Sequence, residues 1–67
     1  MKYPIHSILT DKSKIGSHYV ITGIIGDKYI LNTLIYPSIN KPFISKFQRS
    51  IDAKDLLNFI LIGQFNK

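Results

Sequence analysis

The chain has 67 residues, a net charge of +5 and no cysteine, which leaves room for one domain, residues 1–67, and excludes disulfides and thiolate metal sites. Hydrophobic residues make up 45% of the chain and aromatic residues 12%, a composition that excludes a disordered chain. No apolar run reaches the roughly 20 residues of a membrane span, and the N-terminal residues lack the apolar centre of a signal peptide. We therefore expect a cytoplasmic protein.

The first predicted element is a short strand over residues 3–9. Tyr3, Ile5 and Leu9 alternate there with smaller or polar residues, as they do in a strand with one buried face. The next eight residues, 10–17, are mostly polar and include two lysines. They predict a loop that leads into the next strand.

A tight hairpin over residues 18–36 is the strongest local prediction. Its arms, 18–25 and 28–36, are rich in β-branched and aromatic residues and are separated only by Gly26-Asp27. Glycine readily adopts the positive φ that a two-residue hairpin turn requires. The sequence therefore predicts two long antiparallel strands at the centre of the fold.

A regular register assigns the side chains of this hairpin to two faces, because paired residues share a face. It places Tyr29 and Leu31 on one face, and Tyr19 and Ile21 on the other. Both faces are largely apolar, whereas an antiparallel sheet usually leaves one face in water. Something else must therefore cover the second face. Either the segments 3–9 and 43–49 fold over it, or a second molecule does.

The last two predicted elements are an edge strand over residues 43–49 and a C-terminal helix. Ser50 or Asp52 is a suitable N-terminal cap, and Gly63 lies where a helix C-terminus favours glycine. The apolar residues between them follow helical spacing: Ala53, Leu56, Leu57, Ile60 and Leu61. A strand over residues 58–65 is the competing interpretation. Together the elements predict an α+β fold, with a small antiparallel sheet of three or four strands around the central hairpin 18–36 and one C-terminal helix.

No catalytic or metal-binding pattern stands out. The only histidines are His6 and His18, which are too few for a site that needs three or four ligands. The chain contains no nucleophile motif and no phosphate-binding loop. We therefore expect no enzyme, metal, cofactor or small-molecule substrate. The abundance of Ile, Lys and Asn indicates an AT-rich coding sequence, as in many phages and mobile elements.

The excess of apolar surface predicts a small accessory binding protein. It would contact another protein, an acidic one given the positive charge, or a second copy of itself as a homodimer. The surplus apolar surface of the helix and the less well covered sheet face would provide the contact. The candidate contact residues are Tyr19, Ile21, Ile30, Leu34, Phe59 and Ile62.

The alternative is a nucleic-acid-binding protein with a basic surface that contains phenylalanines. Cations would contact phosphates, and aromatic rings would stack on unpaired bases. The candidate residues are Lys12, Lys14, Lys41, Phe43, Lys46, Phe47 and Arg49. The competing interpretation places both phenylalanines in the core and leaves the cations as a solvated rim. Membrane association is not expected, since the C-terminal helix lacks a basic face.

Overall fold

A computed structural model describes residues 3–38 and 41–65. Those residues form five strands and one 3₁₀ helix. These are β1 (Ser7–Asp11), β2 (Lys14–Ile25), β3 (Lys28–Ile35), β4 (Phe43–Asp52), the 3₁₀ helix (Ala53–Asn58) and β5 (Phe59–Gln64). The strands build one antiparallel sheet in the order β4-β3-β2-β1-β5. Strands β4 and β5 are therefore its two edges.

The predicted α+β fold with a C-terminal helix is wrong. The sheet has five strands, and the helical residues after β4 amount to one short 3₁₀ helix. The run Phe59-Ile-Leu-Ile, which fits helical spacing, instead forms β5 and pairs with β1. Aromatic and β-branched residues favour a strand, and β1 has an open side that β5 fills. Pairing with a distant strand thus overrides the local helical pattern.

The N-terminal elements also differ from their predicted bounds. The first strand starts at Ser7, and the predicted loop 10–17 shrinks to the turn Lys12-Ser13. The Asp11 carboxylate accepts hydrogen bonds from the Ser13 backbone N–H, at 2.9 Å, and from the Ser13 hydroxyl, at 2.8 Å. Such a local side-chain bond stabilises a tight turn. Strand β2 is therefore longer than the sequence indicated.

The central hairpin is confirmed, with Ile25 paired to Lys28 and Gly26 at a φ of 57°. Its register is not regular, however. Thr22 is an extra residue in β2, so that Ile21 pairs with Leu31. This bulge moves the N-terminal half of β2 to the other face. Tyr19 and Ile21 therefore lie on the same face as Tyr29 and Leu31, contrary to the prediction.

The core lies on that shared face, which we call the core face. All five strands and the 3₁₀ helix contribute to it. Its buried members are Leu9, Ile21, Tyr29, Leu31, Ile51, Leu56 and Phe59, with Tyr3 and Tyr19 packed at its margin. Both edge strands supply core residues, β4 through Ile51 and β5 through Phe59. On the opposite face Val20 and Leu34 are also buried, so the protein's own chain covers part of both faces.

One residue before β1 adopts an unusual backbone conformation. His6 has a φ of 78°, in the left-handed region that non-glycine residues rarely enter. Its backbone N–H donates to the Ile21 carbonyl at 2.7 Å, and its own carbonyl accepts from the Phe65 N–H at 2.8 Å. His6 therefore links β2 to the residue that follows β5.

Residues 3–38 and 41–65 contain no helix with the length and hydropathy that a bilayer crossing requires.

Candidate functional site

The residues predicted for protein contact lie mostly inside the fold. Ile21, Leu34 and Phe59 are buried. Tyr19 is half-buried, and its ring packs edge-to-face on that of Phe59 with 5.9 Å between centroids. Ile30 is half-buried as well. Only Ile62, 48% exposed in β5, offers a large apolar side chain to solvent.

The residues predicted for nucleic-acid contact all lie on the surface. Each of the seven is exposed: Lys12, Lys14, Lys41, Phe43, Lys46, Phe47 and Arg49. Phe43 is 50% exposed and Phe47 72%, so neither phenylalanine is a core residue. Five of the seven lie on or just before β4, and we call them the β4 strip: Lys41, Phe43, Lys46, Phe47 and Arg49. The polar turn Lys12-Ser13 is separate from this strip in the chain.

The middle of β4 contains a bulge of three residues. Asn32 pairs with Gln48, but Leu34 pairs with Ile44. One residue of β3 is therefore opposite three residues of β4, Ser45–Phe47, which we call the β4 bulge. Bulges bend an edge strand and redirect its side chains. Here the bulge carries Lys46 and the most exposed phenylalanine, Phe47.

A cluster of polar side chains beneath the bulge fixes its shape. The buried Asn32 is at its centre. Its amide Nδ2 donates to the Ser45 carbonyl at 2.9 Å, and its Oδ1 accepts from Thr22 Oγ1 at 2.6 Å and from Gln48 Nε2 at 3.3 Å. The Phe47 backbone N–H donates to Ser45 Oγ at 3.2 Å. The Ser45 carbonyl, which the bulge removes from the β-ladder, therefore has a side-chain donor. The bulge is thus stabilised by specific hydrogen bonds.

Arg49 lies on the core face, because it pairs with Leu31. Its guanidinium carbon lies 5.8 Å from the ring centre of Tyr19 and 6.0 Å from that of Phe59, within the range of a cation–π contact. These contacts orient the arginine across the aromatic margin of the core. The side chain remains exposed, so its outer side is available to a ligand.

Beside Arg49 is an open cleft of about 440 Å³. Asp11, Asp55 and Asn58 line it together with the arginine. The pKa of the Asp11 carboxyl lies below its ordinary value, chiefly because the Ser13 hydroxyl and backbone N–H donate to it; the charge of Arg49 adds to this. Lys12 lines the cleft too, so that two carboxylates, Asp11 and Asp55, face two cations there.

Phe43 shares the core face with Arg49. Phe43 pairs with Ile35 and Arg49 with Leu31, and alternate residues of β3 point the same way. Their partners on β3 are four residues apart, which corresponds to about 13 Å along the strand. Phe47 lies in the bulge between them. The strip therefore has two exposed rings and a cation over the length of about four stacked bases.

The charge of the strip is not compensated within its own segment. Residues 41–51 include three cations and no carboxylate. Two of the four aspartates, Asp11 and Asp55, lie in the cleft. Asp52, at the end of β4, forms an exposed ion pair with Lys28 at 2.8 Å. The central part of β4 therefore carries a local positive charge that attracts anionic ligands.

The two histidines lie apart from the strip. His18 contacts the Gly16 carbonyl through Nδ1 at 3.1 Å, and its ring packs on Tyr36 with 5.1 Å between centroids. His6 forms the backbone link described above. Among residues 3–38 and 41–65, no group of three or more potential metal-binding side chains occurs.

No family model, curated protein or solved structure matches this chain. A function must therefore be argued from the site itself. Sequence reasoning identified the exposed members of the strip but missed the residues that shape it: Thr22, Asn32, Ser45 and Gln48. One signal was present, since Asn32 interrupts an otherwise apolar strand, and a buried amide needs hydrogen-bonding partners.

Proposed function

We propose that the protein binds single-stranded nucleic acid through the β4 strip. The observation that carries this proposal is the exposure of Phe43 and Phe47 beside three cations, in a segment without any carboxylate. Aromatic side chains stack on unpaired bases of any sequence, and nearby lysines and arginines neutralise the phosphates. The strip combines both kinds of contact on one strand.

The form of the strip favours a single strand over a duplex. Stacking on a phenylalanine requires a base whose face is free, which paired bases do not offer. The strip is also part of a sheet edge, and the chain has no α-helix within its described residues that could enter a major groove. Its contacts are to base faces and phosphates, so we expect little sequence preference.

The bulge holds Phe47 in a defined position, which supports a binding role for its ring. A single exposed apolar side chain needs no explanation. Here, however, four polar groups from three strands hold the segment that carries it. A rigid platform reduces the entropy lost when a flexible strand binds.

An acidic protein segment is the second candidate partner for the same strip. As an edge strand, β4 pairs with β3 on one side only. Its other side has backbone groups that an extended peptide can pair with. Carboxylates on that peptide would meet the same three cations. The experiment below separates the two partners.

The test is fluorescence anisotropy with labelled oligonucleotides dT10 and rU10, about ten nucleotides each, repeated at increasing salt concentrations. Three cations on a single strand predict a log–log slope of about −2. Phe47→Ala should weaken binding roughly five- to hundredfold, the range that base stacking provides. Its matched control is Leu57→Ala, which removes a 79% exposed apolar side chain outside the strip.

A second pair of variants tests the charges. Lys46→Gln in the strip should weaken binding and reduce the salt slope, whereas Lys54→Gln in the 3₁₀ helix should leave both nearly unchanged. No binding of either oligonucleotide at low salt would refute the proposal, as would equal losses in a strip variant and its control. Binding of an acidic peptide without binding of oligonucleotides would replace nucleic acid with the second candidate.

A further inference from the structure

The other edge strand, β5, exposes a continuous apolar run. Ile60, Leu61 and Ile62 are 48%, 45% and 48% exposed. The register places Leu61 on the core face with Leu9, and Ile60 opposite Thr10 on the other face. The exposure therefore affects both sides of the strand. It arises because β5 pairs with β1 alone among the described strands.

Unlike most exposed edges, β5 carries no charge. Residues 56–65 contain no Asp, Glu, Lys or Arg. Natural sheets usually protect an edge with lysine, proline or a bulge, since an open, flat, apolar edge pairs with other strands. β5 has an extra residue at Ile62, but residues 59–61 before it form a regular ladder. This edge is therefore open to a further strand.

The charge distribution indicates which partner this edge accepts. The β4 strip, whose segment 41–51 has three cations and no carboxylate, lies at the opposite edge, and β3, β2 and β1 separate it from β5. An acidic partner would be attracted to β4 and would gain nothing at β5. An uncharged apolar strand suits β5 best, and β5 of a second copy is such a strand. Pairing there also places the two basic strips as far apart as the sheet allows, which minimises repulsion.

We propose that two copies of this chain associate through antiparallel pairing of their β5 strands around a two-fold axis. Such an interface is self-complementary, as in most homodimers. It joins two five-stranded sheets into one sheet of ten strands. It buries Ile60 and Leu61 of each copy against those of the other and leaves both β4 strips free. The inference is independent of what the strip binds.

The test is sedimentation equilibrium over a roughly hundredfold range of concentration, because an interface of one strand pair is small and dissociates on dilution. The natural chain should approach twice its mass of 7.7 kDa at high concentration. Ile60→Lys and Leu61→Lys should each remain monomeric at every concentration. The matched control, Phe47→Lys on the opposite edge, should dimerise like the natural chain.

A further variant keeps the test valid if a lysine variant does not fold. Leu61→Thr retains β-propensity but removes most of the apolar contact, so its dissociation constant should rise at least tenfold, with the far-UV spectrum unchanged. A mass of 7.7 kDa for the natural chain at all concentrations would overturn the inference. Dimers that survive the β5 variants but dissociate with Phe47→Lys would overturn it too.

Discussion

The two edge strands of this sheet, β4 and β5, differ in the charge and polarity of the side chains that they expose to solvent. The β4 strip has three cations and two exposed phenylalanines, and β4 itself contains the β4 bulge. β5 carries no charge and exposes three consecutive apolar side chains. The bulge and the charges make β4 a poor template for another strand of the same protein. The same sheet thus has one edge suited to an anionic ligand and one suited to a copy of itself.

The edges are also attached differently. β5 is held by Phe59, which lies in the core cluster. The middle of β4 rests on the polar cluster around Asn32, and only its end, at Ile51, reaches the core. Apolar burial should therefore dominate the stability of β5, whereas hydrogen bonds should decide the shape of β4.

Phe59→Ala should give the largest loss of stability. Removing a buried phenylalanine typically costs about 3–5 kcal/mol, and Phe59 also holds the Tyr19 ring in place. Urea unfolding followed by circular dichroism measures the loss. Phe43→Ala is the control on β4, and its half-exposed ring should cost less than about 1 kcal/mol. Equal losses for the two variants would abolish the contrast between the edges.

Asn32→Ala should have an intermediate effect. The change leaves the Ser45 carbonyl without its side-chain donor, at a cost of about 1–3 kcal/mol. Hydrogen exchange should increase selectively in Ser45–Phe47, and oligonucleotide binding should weaken although no residue of the strip has changed. Thr22→Val removes one hydrogen bond to the same amide and should cause a smaller change. Unaltered exchange in the bulge would show that Asn32 does not support it.

The smallest expected effect is the response to pH. The pKa of Asp52 lies below its ordinary value because Lys28 hydrogen-bonds to it, and the pKa of Lys28 is raised by the same contact. The contribution of this pair is therefore present between about pH 4 and pH 10. It is lost as the pH falls through the folded-state pKa of the carboxyl, or as it rises towards that of the lysine.

Asp11 behaves like Asp52 on the acid side, since Ser13 lowers its pKa. Thermal unfolding between about pH 2 and pH 7 should show a gradual loss of stability below about pH 4. Asp52→Asn and Asp11→Asn should each reduce the dependence of stability on pH in this range. Asp52 lies at the end of β4, and Asp11 lies where β1 pairs with β5. An unchanged slope in both variants would mean that neither contact is significant in solution.

Local signals in the sequence predicted the local features of the fold. The turn at Gly26-Asp27 and the strand that begins at Phe43 depend on nearby residues, and both are confirmed. The C-terminal segment could not be decided in this way. Its apolar spacing suits a helix, and only the open side of β1, some fifty residues earlier in the chain, makes it a strand.

The candidate site was predictable only in part. Composition and spacing identified the cations and phenylalanines of the β4 strip. They did not decide whether the phenylalanines are exposed, because exposure depends on what packs against them in the folded chain. The bulges at Thr22 and at Ser45–Phe47 were not predictable. They depend on hydrogen bonds between residues far apart in the chain. The Thr22 hydroxyl donates to the Asn32 amide, and that amide donates to the Ser45 carbonyl, so that three strands are involved. A single extra residue at Thr22 then reversed the face assigned to Ile21.

The left-handed backbone at His6 has a topological consequence. Through its hydrogen bonds to Ile21 and Phe65, this residue places the start of β1 next to the end of β5. A circularly permuted chain, rejoined there by a short linker and opened at Gly26-Asp27, would keep every strand pairing of the sheet. The contact between His6 and Phe65 also brings the two strands to one point, from which the sheet could be joined to a surface loop of a larger protein without being stretched.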